Sequence, residues 1–152
     1  MDVIDLLPQE AVLPHLRASS KKQALQEMSA KAAEICGCHE REIFDVLLER
    51  ERLGTTGVGR GIAIPHGKLE ELPSLYGVFA RLDSPVDFEA IDDEPVDLIF
   101  LLLAPESAGA DHLKALARIS RLLRDADKCS KLRGSDSAEA LYALLTESKA
   151  PN

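Results

Sequence analysis

The sequence predicts a three-layer α/β/α sandwich built on a small mixed sheet. Three observations carry this. Residues 96–104 read Val-Asp-Leu-Ile-Phe-Leu-Leu-Leu-Ala, a nearly unbroken apolar run of strand length, as a central strand covered on both faces requires. Five segments with helical periodicity or caps lie along the chain, enough to cover both sides of a sheet. Between Ile62 and Leu103 the candidate strands follow one another through tight turns, which makes the sheet mixed. The 152 residues are expected to form one domain, 1–152, with its core between about 10 and 147. A domain of this size buries roughly 70% of the surface of its unfolded chain.

The elements follow in order. Residues 12–16 form a short apolar strand, and Pro14 inside it confines it to a sheet edge. Ser20 with Gln23 is a capping pair, after which Leu25, Met28, Ala32 and Ile35 fall on one helical face and Gly37 supplies the C-terminal stop. A second helix runs from about 40 to 53, burying Ile43, Phe44, Leu47 and Leu48, and Gly54 ends it. Residues 54–61, Gly-Thr-Thr-Gly-Val-Gly-Arg-Gly, hold four of the chain's nine glycines, so no regular structure is expected there. Residues 62–64 are a short strand ended by Pro65. Residues 76–82 are another, in which Gly77 implies a close neighbour. The C-terminal third is helical: 111–125 with Leu113, Leu116, Ala117, Ser120 and Leu123 inward, 127–133 closing at Gly134, and a last helix opened by Asp136 and Glu139 that buries Leu141, Leu144 and Leu145. The tail from Ser148 to Asn152 is expected to fray.

Composition narrows the function. Eighteen basic against 26 acidic residues give a net charge of −8, and only 4% of residues are aromatic, with no Trp. Nucleic-acid binding wants a basic face and stacking rings, and a membrane surface wants polybasic segments, so both are disfavoured. No apolar run reaches the ~18 residues of a membrane span, and the start lacks a basic, cleavable leader. Three cysteines cannot all pair, which fits a reducing cytoplasm.

The glycine-rich loop resembles half a phosphate loop, but Arg60 and Gly61 stand where Lys and Ser/Thr belong, and it precedes a strand instead of a helix. A dinucleotide fingerprint fails at Ile62. Cys36-x-Cys38 with His39 has no second Cys/His pair nearby, and Cys129 stands alone, so no metal is expected. His15 and His39 read as solvated surface. His66 is different. A rigid strand end and Pro65 deliver it to a turn, and Gly67 removes bulk beside the ring. With the hydroxyls of Thr55 and Thr56 and the guanidinium groups of Arg50 and Arg60, it could bind an anion. His112 lies in the first turn of a helix, where backbone N–H groups favour an anion as well. From Asp83 to Asp97 stand seven acids and no Lys or Arg, a solvated loop or a dock for a basic partner.

Residues 61–67, Gly-Ile-Ala-Ile-Pro-His-Gly, resemble the active-site signature of the phosphotransferase-system (PTS) EIIA proteins of the fructose–mannitol superfamily. The resemblance extends over roughly 10–147: Leu-Gly-Thr-Thr-Gly-Val-Gly at 53–59, Phe-Glu-Ala-Ile-Asp at 88–92, Pro-Val-Asp-Leu-Ile-Phe at 95–100, and His112-Leu113-x-x-Leu116. His66-Gly67-Lys68-Leu69-Glu70 is similar in particular to the nitrogen-regulatory branch. The resemblance implies that His66 accepts a phosphoryl group on Nε2 from an HPr- or NPr-type phosphocarrier. It implies that Arg50 and His112 line the site and that Thr56, Gly57 and Gly67 cradle the phosphate. It implies no cofactor, because the donor is itself a phosphohistidine. It further implies a cytoplasmic regulator that binds its targets in one phosphorylation state, the unphosphorylated one by resemblance. The alternative is a component that relays phosphate to the IIB domain of a fructose- or mannitol-type sugar transporter.

Overall fold

The computed structural model describes residues 2–147, so the tail from Ser148 lies outside the described residues. Six strands and five α-helices follow in the order β1 (Val12–Leu16), α1 (Lys21–Cys36), α2 (Glu40–Leu53), β2 (Gly57–Gly59), β3 (Ile62–Ala63), β4 (His66–Leu69), β5 (Tyr76–Val86), β6 (Val96–Pro105), α3 (Ala110–Arg124), α4 (Ala126–Arg133) and α5 (Ala138–Thr146) among the described residues. The strands form one mixed sheet in the order β1-β5-β6-β3-β2, with β4 also pairing β6. The α/β/α expectation holds. Every residue of β6 from Leu98 to Ala104 is buried, so both faces of the sheet are covered. Helices α1 and α2 pack on each other and on β5 and β4, while α3, α4 and α5 pack in sequence and reach β6 and β1. No helix among the described residues is long and apolar enough to cross a membrane.

Several local expectations are met for their stated reasons. Strand β1 lies at the sheet edge, where Pro14 removes no needed donor. Ser20 accepts the Gln23 N–H at 3.1 Å, and Gly37 ends α1 at φ 78°. At Gly77 a Cβ would lie 2.7 Å from the Phe100 ring and 2.8 Å from Leu6, so the strand interior needs glycine there.

Others are corrected. The glycine loop is not irregular throughout, because Gly57–Gly59 forms β2, antiparallel to β3. The turn joining them runs through Gly59, Arg60 and Gly61 at φ 101°, 59° and 77°. It is clamped from outside: Asp92 accepts the Arg60 N–H at 2.8 Å, and Arg133, paired with Asp97 at 3.0 Å, donates to the Arg60 carbonyl at 2.6 Å. Part of the acidic run is therefore consumed internally. Asp83 likewise pairs with His15 at 2.9 Å and with Arg17 at 3.4 Å, so His15 is tied down although exposed. His66 does not sit in a turn but opens β4. In α3 the buried stripe is His112, Ala115, Ile119 and Leu123, while Leu113, expected inward, is 67% exposed. Helix α5 is capped by Ser137, not Asp136: its hydroxyl accepts the Ala140 N–H at 3.1 Å.

Candidate active site

Strands β3 and β4 lie end to end along the same edge of β6. Ile62 and Ala63 pair with Leu98 and Ile99, and His66 to Leu69 pair with Leu102 to Pro105 in the same register. Pro65 occupies the gap, where it lacks an N–H for the ladder, yet its carbonyl still accepts the Leu102 N–H at 2.9 Å. His66 is thus the first residue after an interruption in one strand, fixed by the most buried strand of the sheet.

Two contacts set its ring. Nδ1 lies 2.9 Å from the Ile64 carbonyl, which can only accept, so Nδ1 carries the proton. Arg50 Nε–H, which can only donate, lies 3.3 Å from Nε2. Both constraints give the same tautomer, with a lone pair on Nε2. Arg50 belongs to the last turn of α2 and is steadied by its NH1 bond to the Gly54 carbonyl at 2.9 Å. Across the ring stands His112, with centroids 5.6 Å apart and planes tilted by 55°. His112 is 8% exposed, and its Nε2 has no hydrogen-bond partner among the described residues. It is the third residue of α3, whose N-cap Gly109 offers no side-chain cap.

Burial pulls the His66 imidazole below its ordinary value of 6.5; the Arg50 charge adds to this, while the Ile64 carbonyl and Glu51 oppose it. Burial lowers His112 too, helped by the neighbouring His66 and Lys68 charges. Both rings are therefore neutral at neutral pH, and His66 presents an unprotonated nitrogen beside a guanidinium. Such an arrangement can attack phosphorus and neutralise the charge it acquires.

A family described as "Phosphoenolpyruvate-dependent sugar phosphotransferase system, EIIA 2" matches residues 5–148. The chain is 64% identical over 145 residues to a protein of Bradyrhizobium diazoefficiens named nitrogen regulatory protein, covering 95% of each. The chain belongs to the PTS EIIA type-2 family, on its nitrogen-regulatory branch. A nitrogen regulatory protein of Klebsiella oxytoca is 41% identical over 153 residues, covering 100% of this chain and 94% of its own. The crystal structure of nitrogen regulatory protein IIA-Ntr from Neisseria meningitidis superposes with a TM-score of 0.89 at 34% identity, over 93% of this chain and 97% of that one.

Of the residues the EIIA signature singles out, Arg50, His66 and His112 converge. Thr56, Gly57 and Gly67, expected to cradle the phosphate, make the following contacts. The Thr56 N–H lies 3.1 Å from a Glu51 carboxylate oxygen, and its hydroxyl also donates to Glu51. Gly57 N–H donates to Thr55 Oγ1 at 3.0 Å, and a Cβ on Gly57 would meet Ala90 at 3.0 Å. Gly67 leaves room for Val46 of α2, which a Cβ would overlap. Cys36 and Cys38 are half-buried and Cys129 is buried, and no group of three or more metal-ligating side chains occurs among the described residues.

Glu51 and Lys21 escaped the sequence reading. Glu51 is buried and pairs with Lys21 Nζ at 2.8 Å, and that ammonium also lies 5.1 Å from the centroid of the Phe88 ring. The signal was present: Glu51 continues the inward stripe of Phe44 and Leu47 on α2, and an acid on a buried stripe demands a partner.

Proposed function

We propose that His66 Nε2 accepts a phosphoryl group from a phosphorylated HPr- or NPr-type carrier, and that its phosphorylation state governs the binding of regulatory targets in the cytoplasm. The tautomer supports this most directly: the Ile64 carbonyl holds the proton on Nδ1 and leaves the Nε2 lone pair facing Arg50. In the transfer Nε2 attacks phosphorus, the donor's P–N bond breaks as the new one forms, and the donor imidazole leaves with the electron pair. The proton stays on Nδ1, donated to the Ile64 carbonyl. Arg50 turns its N–H groups from the imidazole to phosphate oxygens, and the unpartnered His112 Nε2, across the ring from His66, is placed to face the same group. Both sides of the exchange are P–N bonds, so it is reversible and needs no metal or nucleotide. Adding the group brings roughly two negative charges to an acidic protein, enough to switch a docking face by more than the ~1.4 kcal/mol that changes affinity tenfold.

The test is intact mass after incubation with a phosphorylated HPr-type carrier. One acid-labile phosphoryl group is expected on wild type and none on His66→Ala; full acceptance by His66→Ala overturns the assignment. For the regulatory output, affinities for a captured partner are compared among wild type, His66→Ala and fully phosphorylated protein. Equal affinities would favour relay to a IIB domain.

A further inference from the structure

We propose that Glu51 is the positioning residue of His66, acting through Thr56 and Ile64 from a buried ion pair with Lys21; the proposal rests on His66 being the acceptor. A continuous run of contacts leads from one side chain to the other. Lys21 Nζ meets Glu51 at 2.8 Å. The Glu51 carboxylate receives both the N–H of Thr56, at 3.1 Å and 3.2 Å to its two oxygens, and the Thr56 hydroxyl. The Thr56 carbonyl accepts the Ile64 N–H at 3.0 Å. The Ile64 carbonyl accepts His66 Nδ1–H at 2.9 Å. Thr56 and Ile64 are each held at their own N–H and their own carbonyl, so the residue whose carbonyl selects the tautomer is anchored, through Thr56, to a buried charge.

The chemistry gives this run a purpose. When Nε2 bonds phosphorus, the ring becomes cationic and Nδ1–H becomes a stronger donor. A fixed carbonyl opposite Nδ1 stabilises that charge, as a carboxylate does when it contacts an imidazole directly. Here two residues stand between anion and ring, each entered at its N–H and left at its carbonyl across a saturated Cα, so Glu51 acts by fixing the position of that carbonyl. Glu51 lies beside Arg50 in sequence, on the last turn of the same helix. One helix end therefore carries both the cation that faces Nε2 and the anion that steadies the opposite nitrogen. Lys21 keeps that anion from being buried unpaired, a state that proteins tolerate poorly.

The test reads the tautomer of His66 by nitrogen NMR of its ring in the unphosphorylated protein, beside the rate of phosphoryl acceptance. Removing one member of a buried ion pair is far more disruptive than removing both, so the main variant is Lys21→Met with Glu51→Gln. With the pair intact, Thr56→Val removes the hydroxyl that grips the Glu51 carboxylate and Thr56→Ser keeps it, so the two test whether that grip sets the run. Expected are a single Nδ1–H tautomer in wild type and Thr56→Ser, a mixture in the double variant and in Thr56→Val, and at least a tenfold slower transfer in both (about 1.4 kcal/mol). If the double variant does not fold, Thr56→Val against Thr56→Ser decides. Folded variants that keep one tautomer and the wild-type rate overturn the proposal. Failure of the wild type to accept phosphate would sink the acceptor reading alone, because the tautomer measurement does not depend on it.

Discussion

Arg50→Ala should damage transfer far more than it damages folding, and the structure says by how much. The side chain makes two contacts. Its Nε–H faces the reacting nitrogen at 3.3 Å, and its NH1 holds the Gly54 carbonyl at 2.9 Å. The first becomes a bond to a charged group in the transition state. Losing such a bond costs about 1.5–3 kcal/mol, which is roughly 10- to 100-fold in rate. The second lies at an exposed turn where water replaces the guanidinium, so its loss costs folding about 0.5–1 kcal/mol, or some 1–4 °C in Tm for a chain of this size. Arg50→Lys keeps a charge but not the planar fork, and its rate should fall between the two. Single-turnover acceptance from a phosphorylated HPr-type carrier, quenched and read by intact mass, gives the rate, and a thermal melt gives the fold. An Arg50→Ala protein that accepts phosphate at the wild-type rate would refute the placement of this side chain in the chemistry.

Other outcomes follow from the same geometry. His112→Leu should slow transfer by about tenfold while raising stability by about 1 kcal/mol, because it removes a buried, unpartnered Nε2; rate and urea denaturation measured on the same sample check both signs. His66 and His112 both sit below 6.5 in the folded chain, so acceptance should be flat above pH 6.5 and fall only at more acidic pH. Their contribution to stability is complete above 6.5 and is lost as pH falls towards the folded values, since the unfolded chain takes up protons first; melts across that range should show Tm declining. Ile119→Ala should cost about 2–5 kcal/mol, whereas Leu113→Glu should stay within about 0.5 kcal/mol of wild type; the reverse order would put α3 in the wrong phase.

The parts of the fold that the sequence revealed are those where one residue type has one physical consequence. The run at 96–104 is apolar on both faces because both are covered, Pro14 is at an edge because it cannot donate, and Gly37 is left-handed because little else is at ease there. The misses share two causes. Strands β2, β3 and β4 are three, two and four residues long. No period shows in so few positions, and their ladders come from partners distant in sequence. The second cause is that functional side chains occupy buried stripes. His112 stands where an apolar residue would normally mark the inner face of α3, so the apolar pattern points to Leu113, one residue out of phase. Glu51 does the same on α2. At the candidate site His66, Arg50 and His112 were legible from the signature, whereas Lys21 lies too far along the chain from Glu51 for spacing alone to join them. Binary patterning fails here at the residues that the chemistry needs.

The shared register of β3 and β4 across Pro65 bears on how quickly a partner can be served. Segments that breathe independently must be frozen at each encounter, and that loss of freedom slows or weakens association. A backbone laddered to the innermost strand opens only when the whole sheet opens, so His66 arrives at every collision already in place. The amides of the Leu102 region should accordingly be among the last to exchange with deuterium. An imidazole on a stationary strand keeps the reacting nitrogen in one position for every partner, so dissimilar partners must adapt to it.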